Sequence, residues 1–186
     1  MPGKSSEAVR KDVQTTPTSP SISFTIATAK VLTPIIYGNP VSELPSEVKE
    51  YLKARYGDEK LQHLDFAIPR AEHPITRQLM AYIPGTATYA ALKIAAGLAG
   101  KPIELPASII GIYFPESMVS VKTFFIKKAD GKPTLMVAEV INPSASSTGQ
   151  LLVLGDLPQE FKVPAIQLGK WKKKGFGLIE LTWLTK

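Results

Sequence analysis

The stretch MVSVKTFFIKKADGKPTLMVAEVI, residues 118–141, decides the fold of the second half of the chain. Two runs rich in β-branched, aromatic and aliphatic residues, 118–127 and 135–141, flank the turn dipeptide Asp130-Gly131, which predicts a β-hairpin. Because side chains alternate along a strand, the odd-numbered residues of the first run share one face and the even-numbered residues share the other. We expect one face to pack and the other to be only partly wet.

More strands are predicted on both sides of this hairpin. Residues 109–114 precede it, and residues 151–154 and 176–184 follow it, with Pro-, Gly- and Lys-rich segments between them. We interpret the strands from 109 to 184 as an antiparallel meander. Nearer the N-terminus, residues 22–32 alternate apolar with small or polar side chains, which predicts one more half-buried strand.

Two helices are predicted before the hairpin. Ser46 is expected to be the N-cap of a helix that ends at Gly57, and Thr86 is expected to cap an Ala-rich helix that runs to Leu98. Residues 61–83 are interrupted by prolines and predict neither state clearly. Helices early and strands late predict an α+β fold, an antiparallel sheet with helices packed on one face.

The 186 residues divide into a short arm and one domain. Residues 1–20 are rich in Ser, Thr and Pro and offer no apolar face, so we predict a flexible N-terminal arm followed by a single globular α+β domain, 21–186. We expect the arm to serve self-association rather than folding. The arm residues assigned to that role are Lys4, Arg10, Lys11, Pro17 and Pro20.

Composition argues against most enzyme chemistry. The chain has no cysteine and two histidines, which excludes disulfides, thiolate nucleophiles and Cys-based metal sites. One group of candidate metal or acid-base residues, His63, Asp65, Glu72 and His73, is interrupted by Pro69, so we expect these to be ordinary surface residues. We predict a protein without catalytic residues, cofactor or metal.

The net charge of +6 indicates an anionic partner, and the lysines are clustered. Four of five consecutive residues are lysines in a loop bounded by Gly169 and Gly175, and three more surround the predicted hairpin turn. One interpretation is that these lysines form a contact surface for membrane or ribonucleoprotein. The other is that the loop at 169–175 is only solubilising and that its tryptophan packs on the core. The candidate contact residues are Lys170, Trp171, Lys172, Lys173, Lys174, Lys127, Lys128 and Lys132.

Three short patches carry a resemblance. They are GLAGK at 97–101, PQEFK at 158–162 and GLIELT at 177–182. In their order along the chain and in their amino-acid sequence they resemble matching patches of rhabdovirus matrix proteins. The resemblance implies a non-enzymatic viral structural protein that self-associates, condenses the ribonucleoprotein (nucleocapsid or RNA) and attaches it to acidic membrane as a peripheral protein.

Two departures favour the plant-infecting members of that family. The arm carries only three basic residues against two acidic ones, and it lacks a Pro-Pro-x-Tyr motif. The resemblance then implies residence in the virion and in host cytoplasm or nucleus, peripheral at endomembranes. No transmembrane segment is predicted, because the most apolar stretch, 83–100, is interrupted and weakly hydrophobic. The alternative is a viral coat or nucleic-acid-binding protein that packages the genome directly.

Overall fold

The computed structural model describes residues 22–185, so the predicted arm, 1–20, lies outside the described part. The strands are β1 (Phe24–Val31), β2 (Asn39–Pro40), β3 (Phe66–Ala67), β4 (Arg70–Glu72), β5 (Leu79–Pro84), β6 (Ser108–Phe114), β7 (Val119–Lys127), β8 (Pro133–Ile141), β9 (Gly149–Leu154), β10 (Ala165–Gln167) and β11 (Leu178–Trp183). The α-helices are α1 (Ser46–Tyr56), α2 (Asp58–His63) and α3 (Gly85–Ala95).

The larger sheet has seven strands in the order β10-β11-β1-β9-β6-β5-β4, and its neighbouring strands are antiparallel. β1 lies inside this sheet between β11 and β9. The predicted strand is present, but it buries the other face: Ala27, Ala29 and Val31 point inward, whereas the apolar Phe24 and Ile26 are only partly buried. The predicted α+β class is therefore confirmed.

The predicted meander is wrong, because the hairpin belongs to a different sheet from the strands around it. β7 and β8 pair along their whole length, whereas β6 skips the hairpin and pairs with β9. The chain leaves the larger sheet at Pro115, which cannot donate to a β-ladder, and passes through a 3₁₀ turn, Glu116–Met118. The hairpin then forms a second sheet in the order β2-β3-β8-β7, with β3 parallel to β8.

The helix predictions are confirmed in position but not in their caps. Both helices begin directly after a proline, Pro45 or Pro84, which occupies the N-cap position. Ser46 and Thr86 therefore lie inside the first turn. Proline fits there because its fixed φ matches the extended cap conformation and its missing N–H is not needed. The second helix ends at Ala95 rather than at Leu98.

Three apolar clusters hold these elements together. The largest lies between α3 and the larger sheet, where α3 buries Ala91 and Leu92. The second lies under the even-numbered face of the hairpin and contains Met136 and Val140 of β8. The third joins Leu52 of α1 to the opposite face of the smaller sheet. The base of the hairpin is thus packed on both faces.

A buried ion network connects the two sheets. The side chains of Arg70 on β4 and Glu139 on β8 are inaccessible to solvent, and Arg70 Nη2 lies 2.7 Å from Glu139 Oε2. Glu139 also accepts hydrogen bonds from the Tyr56 hydroxyl and the Ile68 amide. Glu116 bridges Arg70 to Arg55 of α1. The network joins β4, β8, α1 and the turn before β7.

The network changes how its members titrate. Burial disfavours the charged guanidinium of Arg70, but the hydrogen bonds and charges of Glu139 and Glu116 outweigh it and raise the pKa of Arg70. Burial, and next the hydrogen bond to Glu139, raise the pKa of the Tyr56 phenol. Arg70 therefore stays a cation and Tyr56 a donor over the whole neutral range.

We predict that Glu139→Gln destabilises the fold strongly. The change leaves the buried Arg70 charge without its main partner, which typically costs about 3–5 kcal/mol. Urea unfolding followed by circular dichroism measures the loss. The matched control is Glu72→Gln, which removes the half-exposed partner of Arg77 and is expected to cost at most about 1 kcal/mol. Equal small losses in both variants would contradict this role for the network.

Candidate functional site

The lysine loop between β10 and β11 has a shape that its backbone dictates. Trp171 adopts a left-handed φ of 57°, and Gly169 and Gly175 both have a φ of 89°. A Cβ on Gly169 would meet the carbonyl oxygen of Ile36. The glycines are therefore needed for this path, which turns Lys172–Lys174 into a single 3₁₀ turn.

Hydrogen bonds fasten the loop at both ends. The Lys170 amide donates to Ile36 O over 2.7 Å. The Gln167 side chain donates from Nε2 to Lys172 O at 2.8 Å and to Phe176 O at 2.9 Å, and so closes the loop across its neck. The lysine side chains are thus carried on an ordered backbone.

Aromatic rings dock the loop onto the hairpin. The centroid of the Trp171 ring lies 5.3 Å from that of Phe124 on β7 and 5.9 Å from that of Phe176, in edge-to-face arrangements. Such pairs contribute about 0.5–1.5 kcal/mol each beyond the area they bury. Trp171 was expected either to contact a membrane or to pack on the protein, and its half-buried position matches packing on the protein.

The docking brings the lysine-rich loop beside β7, which carries a lysine of its own. Lys122 lies on the same face of β7 as Phe124 and about 7 Å along the strand. Lys170 places its Nζ 3.9 Å from the centroid of the Phe66 ring, and Lys174 places its Nζ 5.2 Å from that of Trp171. We call this surface the lysine face. It consists of Lys122, Lys170, Lys172, Lys173 and Lys174.

The other predicted lysines lie at the tip of the hairpin. Lys127, Lys128 and Lys132 are exposed around the turn, where the Gly131 amide donates to Lys128 O and Asp130 Oδ1 accepts from the Lys132 amide. Phe124 and Lys127 are three residues apart, so the tip projects about 10 Å beyond the lysine face. Within residues 22–185, none of these lysines or those of the lysine face forms a salt bridge.

An exposed apolar patch stands beside the tip and was missed by sequence reasoning. Phe125 is 82% exposed, its cross-strand neighbour Leu135 is 54% exposed and Val121 is 38% exposed. The sequence indicates them only through the alternation of side chains along a strand, which puts Val121 and Phe125 on the face opposite the packed Phe124. Lys122 was missed for a related reason, since its place in the lysine face depends on a contact between distant segments.

The histidine and carboxylate group that sequence proximity suggested is dispersed in the structure. The buried His73 accepts the amides of Ile75 and Thr76 at Nδ1, and its Nε2 lies 2.6 Å from Gln150 Oε1. Asp65 Oδ2 accepts the Val137 amide. In the part of the chain that the structure describes, no three His, Asp or Glu side chains gather where they could hold a metal ion.

The predicted arm residues lie outside the described residues. They are Lys4, Arg10, Lys11, Pro17 and Pro20. Among the helices of residues 22–185, none has the length and apolar character that a membrane crossing requires.

Comparisons with known proteins assign no family. No family model matches the sequence, and no curated protein matches it. Among solved structures, the chain is similar to a chain in the cryo-EM structure of the Type III-B Cmr-beta bound to cognate target RNA, with a TM-score of 0.36 and 12% identity over 87% of this chain and 97% of that chain. A likeness of this degree assigns neither fold nor function.

We predict that Phe124, but not Phe125, fixes the lysine loop. In a Trp183→Phe background, Phe124→Ala removes a ring from the Trp171 cluster, so Trp171 emission shifts to the red and iodide quenches it more strongly. The loss of unfolding free energy should be about 1–3 kcal/mol. Phe125→Ala is the matched control, because that ring faces the opposite side in water. An equal response of the two variants would show that the loop does not dock on β7.

Proposed function

We propose that this protein is a non-enzymatic, matrix-like assembly protein that attaches peripherally to acidic membrane through the lysine face and the hairpin tip. The observation that carries the proposal is the docking of the lysine loop on β7 by Trp171, Phe124 and Phe176. It brings the lysine loop beside the hairpin whose tip carries the second lysine cluster. Both clusters lack carboxylate partners among the described residues.

Unpaired lysines on a fixed backbone suit an anionic surface. Each lysine near an acidic bilayer contributes about 1 kcal/mol at moderate ionic strength, and the contribution fades within a Debye length. Eight lysines on one hairpin and its docked loop therefore supply a large electrostatic attraction without any pocket. A loop fastened at both ends loses less conformational entropy on binding than a free chain segment of the same charge.

Aromatic rings bear on the choice between lipid and RNA. Phe125 and Leu135 stand in water on the face of the hairpin opposite the lysine face, so they do not reach a surface that the lysine face binds. Single-stranded RNA would need aromatic faces free to stack on bases. The ring of Trp171 is engaged with Phe124 and Phe176, and the exposed ring of Phe125 lies on the opposite face of β7. The lysine face therefore suits a lipid surface better than single-stranded RNA.

The remaining part of the proposal follows from the resemblance to rhabdovirus matrix proteins. It comprises self-association, condensation of a viral ribonucleoprotein, and a place in the virion and at host endomembranes. The positive net charge of +6 supports contact with an anionic ribonucleoprotein as well as with lipid. Genome packaging by direct RNA binding is the competing function, and the experiment below separates the two.

We predict that replacing Lys170, Lys172, Lys173 and Lys174 with Ala weakens binding to acidic vesicles at least tenfold at low salt. The estimate takes up to about 1 kcal/mol per lysine. Sedimentation with phosphatidylserine-containing vesicles measures the binding, and neutral phosphatidylcholine vesicles should bind neither form. The control is a variant with the same change in charge, in which Ala replaces four exposed lysines elsewhere, Lys30, Lys53, Lys60 and Lys101.

The same two variants are titrated with single-stranded RNA. A loss of RNA binding with unchanged vesicle binding would replace membrane attachment by genome packaging. Equal effects of the two variants on vesicles would show that net charge alone attracts the protein, and would overturn the proposed surface. Circular dichroism checks the fold of both variants, which should be unchanged because exposed surface charges contribute little to stability.

A further inference from the structure

The outer edge of β7 presents unpaired backbone groups. The direction of these groups follows from the partners of β8: Val137 exchanges hydrogen bonds with Asp65, and Ile141 exchanges them with Ile35. Both residues therefore turn their backbone groups away from β7. In an antiparallel ladder the residue opposite such a position also turns outward, so Thr123, opposite Val137, directs its N–H and C=O away from β8.

The alternation extends along the strand. Val121, Thr123 and Phe125 all point their N–H and C=O groups to the free edge, and within residues 22–185 these groups have no hydrogen-bond partner. The open stretch begins at Val121, because the carbonyl oxygen of Val119 already accepts a hydrogen bond from Arg55 Nη2 at 3.0 Å. The edge is thus three outward residues long before the tip.

β7 differs from the other edge strands. The outer strands β2, β4 and β10 have two or three residues, whereas β7 has nine. Short edges offer too few groups for pairing, but a long edge with exposed apolar side chains is a template for another strand. Beside this edge lie the exposed side chains of Val121 and Phe125.

We infer that a second copy of this chain pairs with the β7 edge, antiparallel and two-fold symmetric about Thr123. In this register Val121 lies opposite the partner's Phe125, and Thr123 lies opposite the partner's Thr123. Three outward residue pairs then exchange about six backbone hydrogen bonds. The two-fold axis is perpendicular to the sheet, so the apolar patches of both copies lie on one face.

Charge and occupancy select this register. It sets Lys122 opposite the partner's Phe124. A register centred on Phe125 would set Lys122 opposite the partner's Lys128, and like charges facing each other across strands are destabilising. A register centred on Val121 would need the carbonyl of the partner's Val119, which Arg55 occupies in each copy. Among registers centred on an outward residue, the one centred on Thr123 avoids both conflicts.

This inference deepens the proposed function, because it rests on the self-association proposed above and gives it a surface. The interface is narrow, well below the area of a standard stable complex, so we expect a weak dimer in solution. Lysine repulsion weakens it further at low salt. Attachment of both copies to one membrane raises their effective concentration and strengthens the pairing.

The absence of cysteine from the chain makes a clean cross-linking test possible. In the full chain, Thr123→Cys places one cysteine of each copy on either side of the symmetry axis. Their Cα atoms are then about 5.5 Å apart, within the range that a disulfide spans. Mild oxidation should give disulfide-linked dimers on a non-reducing gel. The matched control is Lys127→Cys, which is exposed on the same strand but lies opposite the partner's Val119, far from its own copy. Equal cross-linking of the two variants would overturn the inference.

A second variant tests the pairing without a thiol. Thr123→Pro removes an outward N–H, which an edge strand tolerates, and should shift sedimentation equilibrium at high salt to monomer. Thr123→Ala keeps the amide and should still associate. If circular dichroism shows that the proline variant is unfolded, the cysteine pair decides. Vesicle binding is measured in parallel, so a failed dimer with intact vesicle binding overturns only the edge pairing, and a failed vesicle test overturns only membrane attachment.

Discussion

The contact on which the rest of the structure depends is the buried pair of Arg70 and Glu139. It joins the edge of the larger sheet to the centre of the smaller one, and both side chains are completely withdrawn from water. Withdrawing two charges is costly, and their attraction offsets that cost only when the remaining polar atoms are satisfied. Glu116, Tyr56 and the backbone near Ile68 supply those bonds. The pair therefore specifies how the two sheets meet, since other arrangements leave a charge unpaired.

The hairpin takes its position from this network and extends away from it. Near the network, β8 is packed on both faces, while toward the turn β7 and β8 emerge into water. One face of β7 still meets protein there, because Phe124 receives the rings of Trp171 and Phe176. Packing of Trp171 thus holds the backbone that carries the lysines on either side of it. A packed base and an exposed, basic tip suit the peripheral contact surface proposed above.

The local sequence pattern was enough to predict those elements whose strands, turns or caps all lie within one short segment of the chain. The hairpin could be predicted from residues 118–141, since its turn and both strands lie there, and the helices from their spacing and their breaking residues. The division into two sheets could not, because the pairing of β6 with β9 skips the whole hairpin. Within the candidate site, charge density indicated the loop at 170–174. The membership of Lys122 depends on a contact between distant segments that no local window contains.

The three environments of β7 lead to a sequence of events in the proposed assembly. Its even-numbered face holds the lysine loop, its odd-numbered face carries Phe125, and its edge offers unpaired amides. In solution at low salt, the lysines of two copies repel each other, and a narrow edge cannot overcome that repulsion. An acidic membrane neutralises the same lysines and confines the copies to a plane, so the repulsion falls while the effective concentration rises. Membrane attachment would therefore precede edge pairing, and the charge that draws the protein to the surface would also keep it from associating before it arrives there.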